Sequence, residues 1–583
     1  MIEGGHDPFT LTIVEAALEA LSEEMFIGLR RTSQSPLIYE VLDFSTGITD
    51  AQGALVVQGN GVTGFLASLG GDVAETRRRL GDLPPGDVVI ANDPYVGGGT
   101  HLNDVSLVAP LYGDGELVGY AAAKAHWTEL GGAHAGSWAP DTADVYAEGL
   151  RFPYVRIARG GAWDDALIDT IGANVRTPKA TLGDLAAQRA ILDMADRRVG
   201  ELCRRYGPGA VREAMRRRLR RDAARARDAL GGLPHGVYEA HDVIDERDGP
   251  GLPIRVALTI GPDGIEADFT GSAPACAESL NCTRPALLAG VRTAYRSLFG
   301  PGAASDGLFR PLTVTCPADT VFTVRPPRSV STYWEASDHA TDLVARALSA
   351  VMPDRYPAGH SLSVCGYLLA LDGPEGLAIA VEPQGGGWGG GPGADGESAL
   401  VPVGDGETLA IAAEVMERRF PVEVREWALD TDVPAGSGAG ACRGGRGFRR
   451  RFRVLSTGTL TAAFGRHRHP PWGLAGGRDG SPNYVRVVGA DGQTKAMAGR
   501  LARVPLVPGD EVELVTGSGG GYGDPRERAR ELVLRDLADG IVSEGEARDV
   551  YGVAAPPDAD AGAGSVPGTP WVESVKHMGG GCR

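Results

Sequence analysis

Residues 101–126 read HLNDVSLVAPLYGDGELVGYAAAKAH. Two strand-like runs, Val105–Tyr112 and Leu117–His126, flank Gly113-Asp114-Gly115-Glu116. A turn rich in Gly and Asp between two such runs predicts an antiparallel hairpin. With the turn centred near Asp114, position 102 falls opposite position 126. His101 and Asp104 then stand at the entrance of the first strand and His126 at the exit of the second, together at the open end. A lone histidine at a strand end is usually a solvated or satisfied ring. Two imidazoles and a carboxylate at one hairpin end form a ligand set for a divalent transition metal. A site that keeps a position open would activate water.

Outward from this hairpin the chain alternates helices with short strands. Residues 9–32 predict an amphipathic helix with Thr10 as its cap. Strands are expected at 43–49 and 55–57 around the turn 50–53, and at 87–91 before a Gly-rich loop. Gly97, Gly98 and Gly99 before His101, and Gly131 and Gly132 after His126, are expected to let backbone pack tightly around the metal. Helices are expected at 179–206 and 209–231, separated by Gly207-Pro208-Gly209. The second carries Arg212, Arg216, Arg217, Arg218, Arg220, Arg221, Arg225 and Arg227, which reads as a solvated face or a subunit contact. From 237 strands and Gly/Pro turns dominate, with helical stretches near 286–298 and 338–351. Residues 380–525 look mostly β, and their glycine clusters at 385–391, 436–447 and 517–523 read as tight turns. Short helices are expected at 526–538 and near 543–550.

The resulting fold class is mixed α/β (α+β) and multi-domain. The regions are an N-terminal metal-binding α/β region over 1–235, a middle α+β region over 236–375 and a β-rich, Gly-rich region over 376–525. C-terminal helices over 526–552 and a disordered tail over 553–583 complete it.

Composition narrows the function. The 583 residues suggest about three or four structural units. A net charge of −18 repels phosphate backbones, so no nucleic-acid partner is expected. Glycine, at 85 residues, is roughly twice its usual share, without the G-x-y period of collagen. Seven cysteines with no C-x-x-C spacing argue against a thiolate metal cluster, and the odd count argues against a disulfide framework. The N-terminus has no signal-peptide pattern, and no run of about 18 apolar residues occurs, so a cytoplasmic chain without a membrane span is expected. Gly385–Gly390 formally matches G-x-G-x-x-G, but Gly391-Pro392-Gly393 is a poor helix start, which sets a dinucleotide site aside. No P-loop and no G-x-S-x-G elbow is present.

Longer motifs then carry a resemblance. NDPYVGGGTHLNDV at 92–105 and AAAKAHWTELGG at 121–132 resemble the signature of the hydantoinase B/oxoprolinase family. SPLIYEVLDFSTGITD at 35–50, DFTGSAP at 268–274 with Asn281, GGGWGGG at 385–391 and GAGACRGGRG at 438–447 are similar to its other motifs, in order. So are PPWGLAGGRDG at 470–480, PGDEVELVTGSGGGYGDPRER at 508–528 and DLADGIVSEGEARDVYGV at 536–553.

The resemblance implies one divalent metal ion, zinc or manganese, on Asp43, His101, Asp104 and His126. Asp43 comes from the resemblance alone. It implies that ATP is bound by an A-type partner subunit, in a heterotetramer or larger assembly. The function it implies is the B-type component of an ATP-dependent hydrolase of a small cyclic amide: a hydantoin, a lactam or 5-oxoproline. The partner would phosphorylate the carbonyl oxygen, and this chain would hydrolyse the activated species. The alternative is a component of an ATP-dependent ketone carboxylase of the acetone or acetophenone type, in which the same metal holds an enolate. A non-catalytic scaffold would carry no metal. Where the family usually has Asp-(Val/Ile)-Gly-Gly after the second histidine, this chain has Glu129-Leu130-Gly131-Gly132. Glu129 and Glu40 are the candidate catalytic carboxylates.

Overall fold

The hairpin forms, and it is the middle of a larger sheet. The computed structural model describes residues 6–300, 302 and 304–554. Its N-terminal sheet contains β1 (Phe44–Asp50), β2 (Leu55–Gly61), β3 (Val88–Ala91), β4 (Asp104–Gly113), β5 (Glu116–His126), β6 (Val155–Arg159) and β7 (Ala162–Trp163). They are antiparallel throughout, in the order β2-β1-β5-β4-β3-β6-β7. Both faces of β5 are covered, and from Leu117 to Ala125 its one charged residue, Lys124, is buried. Ala121, Ala123 and Ala125 join Val105, Leu107 and the helices Pro8–Thr32 and Pro178–Tyr206 in one core. Tyr120 and Ala122 join Val108 and the helix Leu69–Leu80 on the other face.

The hairpin register differs from the sequence expectation by two residues. Asp104, not Leu102, pairs with His126. The turn is the two-residue Asp114-Gly115, both at positive φ (50° and 80°), the geometry of a tight hairpin connection. An irregularity between Leu111 and Tyr112 leaves Val118 as an extra residue on β5 and slides the open end further.

Other departures are local. The helix Pro8–Thr32 is capped by Asp7, which accepts from Thr10 N at 3.1 Å, rather than by Thr10. Pro8 occupies the first helical position, where its missing N–H costs nothing. The arginines of the helix Pro208–Gly231 are largely engaged within the chain. Arg217 and Arg221 pair with Glu15, Arg218 with Glu19, and Arg216 and Arg220 with Glu213.

A second sheet, Leu312–Thr315, Gly264–Asp268, Leu252–Gly261 and Gly236–Ile244, packs on the helices Arg284–Arg296 and Trp334–Val351. The latter helix starts four residues before the expected 338, and its first turns are buried. Two further sheets follow, one around Gly366–Gly373 and Gly458–Ala463, the other around Phe448–Val454 and Glu511–Val515.

The glycine clusters between these strands are mostly not turns. The segments 385–391, 438–447 and 517–523 lie against one another backbone to backbone. Gly387 N donates to Gly517 O at 2.9 Å, Gly390 N to Gly520 O at 2.8 Å, Gly445 N to Trp388 O at 2.8 Å and Gly519 N to Gly445 O at 3.0 Å. A Cβ on Gly387 would strike Gly445 O, and one on Gly445 would strike Glu397 O. Neither glycine has a positive φ; both are required by close approach, not by turn geometry.

Residues 1–528 form one unit and 529 onward a second. In the second, the helices Arg530–Ala538 and Glu544–Asp549 are described, the latter capped by the Ser543 hydroxyl. The expected tail lies outside the described residues from 555 on.

Candidate metal centre

His126 ends β5, the strand flanked by β1 and β4. On one side Asp104 opens β4 directly across from it. On the other side Phe44 pairs with Ala125, so Asp43 falls beside His126, whose N–H donates to Asp43 O at 3.0 Å. Opposed residues project to the same face, so three adjacent strand ends deliver Asp43, His126 and Asp104 in a row. His101 comes from the turn before β4, where Asp104 N donates to His101 O at 3.3 Å.

The side chains converge. His101 Nε2 lies 2.9 Å and His126 Nδ1 3.3 Å from Asp104 Oδ1, and His126 Nδ1 lies 3.6 Å from Asp43 Oδ2. One ligand atom from each of His101, Asp104 and His126 falls within 4.8 Å of the others. The three are buried, and the Asp43 side chain is 18% exposed. The outer contacts orient them. Ser331 O faces His101 Nδ1 at 3.1 Å, so a proton there leaves Nε2 free as a ligand. The Thr100 hydroxyl donates to Asp104 Oδ2 at 2.6 Å. Glu148 braces the segment that supplies Ser331, accepting from Ser329 Oγ at 2.5 Å and Val330 N at 2.9 Å.

The electrostatics fit a cation. Burial pushes the Asp43 carboxyl up to about 6 against the pull of His126, with Asp104 adding to the rise. Burial alone would raise Asp104, but the charges and hydrogen bonds of His101 and His126 outweigh it and hold the carboxyl well below the usual range. His126 Nε2 is buried with no hydrogen-bond partner. Two carboxylates and two imidazoles are a donor set suited to a divalent transition metal.

These residues open onto a cavity of about 60 Å³. Phe65, Trp138, Tyr333 and Trp334 form apolar walls, and among the described residues no Lys or Arg lines it. The Tyr333 ring lies 5.1 Å and Trp334 5.7 Å from the His101 ring, centre to centre. Burial keeps the Tyr333 phenol protonated well beyond its ordinary range. Asp338, Asp405 and Glu382, the last paired with Arg450, add further carboxyls to the lining. Sequence reasoning missed all of these. The segment Trp334–Asp342 is buried at every position yet two-thirds polar, a pattern that reads as an ordinary solvated helix until the cavity is known.

The two candidate catalytic carboxylates lie elsewhere. Glu129 is fully buried and committed: it accepts from Arg176 Nη1 at 2.6 Å, Arg176 N at 2.5 Å and Gly131 N at 3.0 Å. Its longer side chain anchors the loop after His126 and lines no part of the cavity. Glu40 is half-buried at the end of the short helix Pro36–Tyr39 and is likewise absent from the lining. The glycines near the site also differ from expectation. Gly98 N donates to Asp72 Oδ1 at 3.0 Å, while buried Lys124 bonds Asp72, Ser68 and Gly98 O. The loop is thus packed on the helix Leu69–Leu80, not around the metal residues.

Comparisons with known proteins agree with this architecture. The model of the hydantoinase B/oxoprolinase family matches residues 7–525. A putative D-/L-hydantoinase B-type chain of Pseudomonas sp. (strain NS671) is 28% identical, covering 94% of this chain and 95% of the relative. The β chain of the caprolactamase of Pseudomonas jessenii is 29% identical, covering 94% and 96%. The crystal structure of ATP-dependent caprolactamase from Pseudomonas jessenii superimposes with a TM-score of 0.88 at 28% identity over 95% of this chain and 97% of that one. The nucleotide-free structure of acetone carboxylase shares the fold, with a TM-score of 0.85 at 18% identity over 95% of this chain and 80% of that one.

Proposed function

The chain belongs to the hydantoinase B/oxoprolinase family, and on that premise we propose that it is the metal-dependent B-type component of an ATP-dependent cyclic-amide hydrolase. Asp43, His101, Asp104 and His126 hold one divalent ion, zinc or manganese. The observation that carries this reading is the convergence of the four side chains from three adjacent strand ends and the preceding turn, in a cavity that no Lys or Arg among the described residues lines. A divalent cation there supplies a Lewis acid for the substrate's oxygen and lowers the pKa of water. The rest is done by this chain's residues. Ser331 O and the Thr100 hydroxyl fix the His101 tautomer and the Asp104 rotamer. Trp138, Trp334 and Phe65 wall the cavity against bulk water and suit a small ring. The Tyr333 hydroxyl offers a proton donor to developing negative charge.

A resonance-stabilised amide needs activation. The chain carries no P-loop, so ATP is bound by an A-type partner, which phosphorylates the carbonyl oxygen. The hydantoinase and caprolactamase relatives are each named as one component of a multi-chain enzyme, which supports such a partner.

The test is to co-purify the chain with its partner and screen lactams, hydantoins and 5-oxoproline for ATP turnover. A ring-opened acid formed with ATP hydrolysis, and lost in His101→Ala, is the expected result. ATP use only with a ketone and bicarbonate, with labelled carbon in the product, would replace hydrolysis by carboxylation.

A further inference from the structure

The cavity holds a second polar group outside the four-donor set. Asp338 projects from the first turns of the helix Trp334–Val351, and Asp405 ends the turn Val403–Asp405; both line the same cavity as His101 and His126. They are only 6% and 9% exposed, and Oδ2 of each is buried without a hydrogen-bond partner. The turn that carries Asp405 is held by Thr63 and lies against Asp338. Thr63 Oγ1 donates to Val403 O at 2.5 Å and Gly404 O at 3.0 Å, and a Cβ on Gly404 would come within 2.5 Å of Asp338 Oδ1. Independently, Trp138 lines this cavity, 3% exposed, and its indole N–H has no acceptor. Unmet polar groups cost about 1–3 kcal/mol each when buried. Two carboxyl oxygens and an N–H without partners, on side chains that line one cavity, match a ligand that both donates and accepts, as an amide does.

The surroundings leave the pair a proton. On the same helix Glu335 and Asp342 are acidic, Glu335 facing Arg500 at 3.7 Å and Asp342 facing Arg466 at 2.8 Å; Glu382, paired with Arg450, also lines the cavity, and among the described residues no Lys or Arg lines it. Burial, with Glu335 and Asp342, pushes Asp338 up to about 8; burial and Asp338 push Asp405 well above the ordinary range.

We propose that Asp338 and Asp405, two carboxyls on the wall of one cavity, hold a proton there and deliver it to the ring nitrogen when the amide C–N bond breaks. This rests on the cyclic-amide reading above. Water first adds to the carbon of the O-phosphorylated amide, and the ring nitrogen, holding the electron pair of the former C=N bond, takes one of its protons. The C–N bond then breaks, its electron pair stays on nitrogen and takes the proton held by the carboxyl pair, while the hydroxyl on carbon becomes C=O and returns its proton to the pair. The ring-opened amine then carries an acyl phosphate, which a second water hydrolyses to the acid and inorganic phosphate, so the pair is unchanged over the cycle.

Asp338→Asn and Asp405→Asn are nearly isosteric, and both are compared with wild type in the partner complex, on the lactam it opens best and on the imide of the same ring. The imide nitrogen leaves without help from an acid; the lactam nitrogen does not. The expected result is that both variants melt like wild type and keep their metal. Turnover of the lactam falls about 10²–10⁴-fold, and that of the imide falls far less. Undiminished lactam turnover, equal losses on both substrates, or a second cation bound by the pair would overturn the proposal. A readout independent of substrate is the infrared carbonyl band of a protonated carboxyl in the full chain. It is expected in wild type and lost in Asp338→Asn. Its absence in wild type overturns the proton-holding pair, whereas a wild-type complex that opens no cyclic amide overturns the functional reading instead.

Discussion

The end of β5 and the interleaved glycine segments are both dense and nearly free of side-chain slack, but opposite demands make them so. At the end of β5, polar side chains are forced together: Asp104 Oδ1 lies within 3.3 Å of both imidazoles, at the cost of an orphaned His126 Nε2. Among the glycines side chains are excluded, so that carbonyls and N–H groups of 385–391, 438–447 and 517–523 bond directly. One region tolerates electrostatic cost to make a site. The other gives up side chains to fix the scaffold. Changes in the first should remove function and leave the fold; changes in the second should remove the fold with the donor set chemically intact.

The largest separation is expected from His126→Ala. Loss of a direct donor should exceed the roughly 10–100-fold that orienting partners cost in metal affinity, and turnover of the complex should vanish while thermal unfolding stays close to wild type. A His126→Ala chain that fails to fold would break the contrast. Gly445→Ala tests the other side. Its Cβ meets Glu397 O, so destabilisation of about 3 kcal/mol or more is expected in denaturant titration. Gly393→Ala is the control: it has φ +80° but nothing within 4 Å, so only the backbone penalty of about 1–2 kcal/mol applies. Equal effects at 445 and 393 would show that conformation, not close approach, selects these glycines. Thr100→Val removes the hydroxyl that donates to Asp104 Oδ2 at 2.6 Å and should weaken metal binding about 10–100-fold in a chelator competition.

The smallest effect is a pH dependence. Asp43 must lose its proton to bind a cation, and burial has raised it to about 6. Metal affinity should therefore fall as pH drops through about 6. His101, whose value is raised because Asp104 outweighs burial, extends the fall upward from there. For the metal-free fold the sign is opposite. A raised carboxyl contributes stability below its unfolded value near 4, and that contribution is lost as pH rises through about 6. Asp43→Asn should flatten both limbs; unchanged limbs would remove Asp43 from the site.

What the sequence discloses follows the range of the interactions. His101, Asp104 and His126 are legible because one hairpin with one clear turn brings them together. The register slips by two because the bulge at Val118 and the exact turn centre leave no mark in the residue pattern. Asp43 is not legible from spacing, since it depends on β1 pairing with β5 across more than 70 residues. Glu129 looks catalytic because its partner, Arg176, is remote in sequence. Glycine runs look like turns because close backbone approach and positive φ select the same residue. Asp338 and Asp405 are hidden for a related reason: a buried polar helix turn looks like an exposed one.

The central claim is that four side chains at the end of β5 make one metal site. The most direct measurement is elemental analysis of the purified chain and of its His101→Ala and His126→Ala forms, each confirmed as folded. About one equivalent of zinc or manganese in the wild type and close to none in either variant is the predicted result. A folded wild-type chain that stays empty after incubation with either metal, or variants that keep a full equivalent, would contradict it.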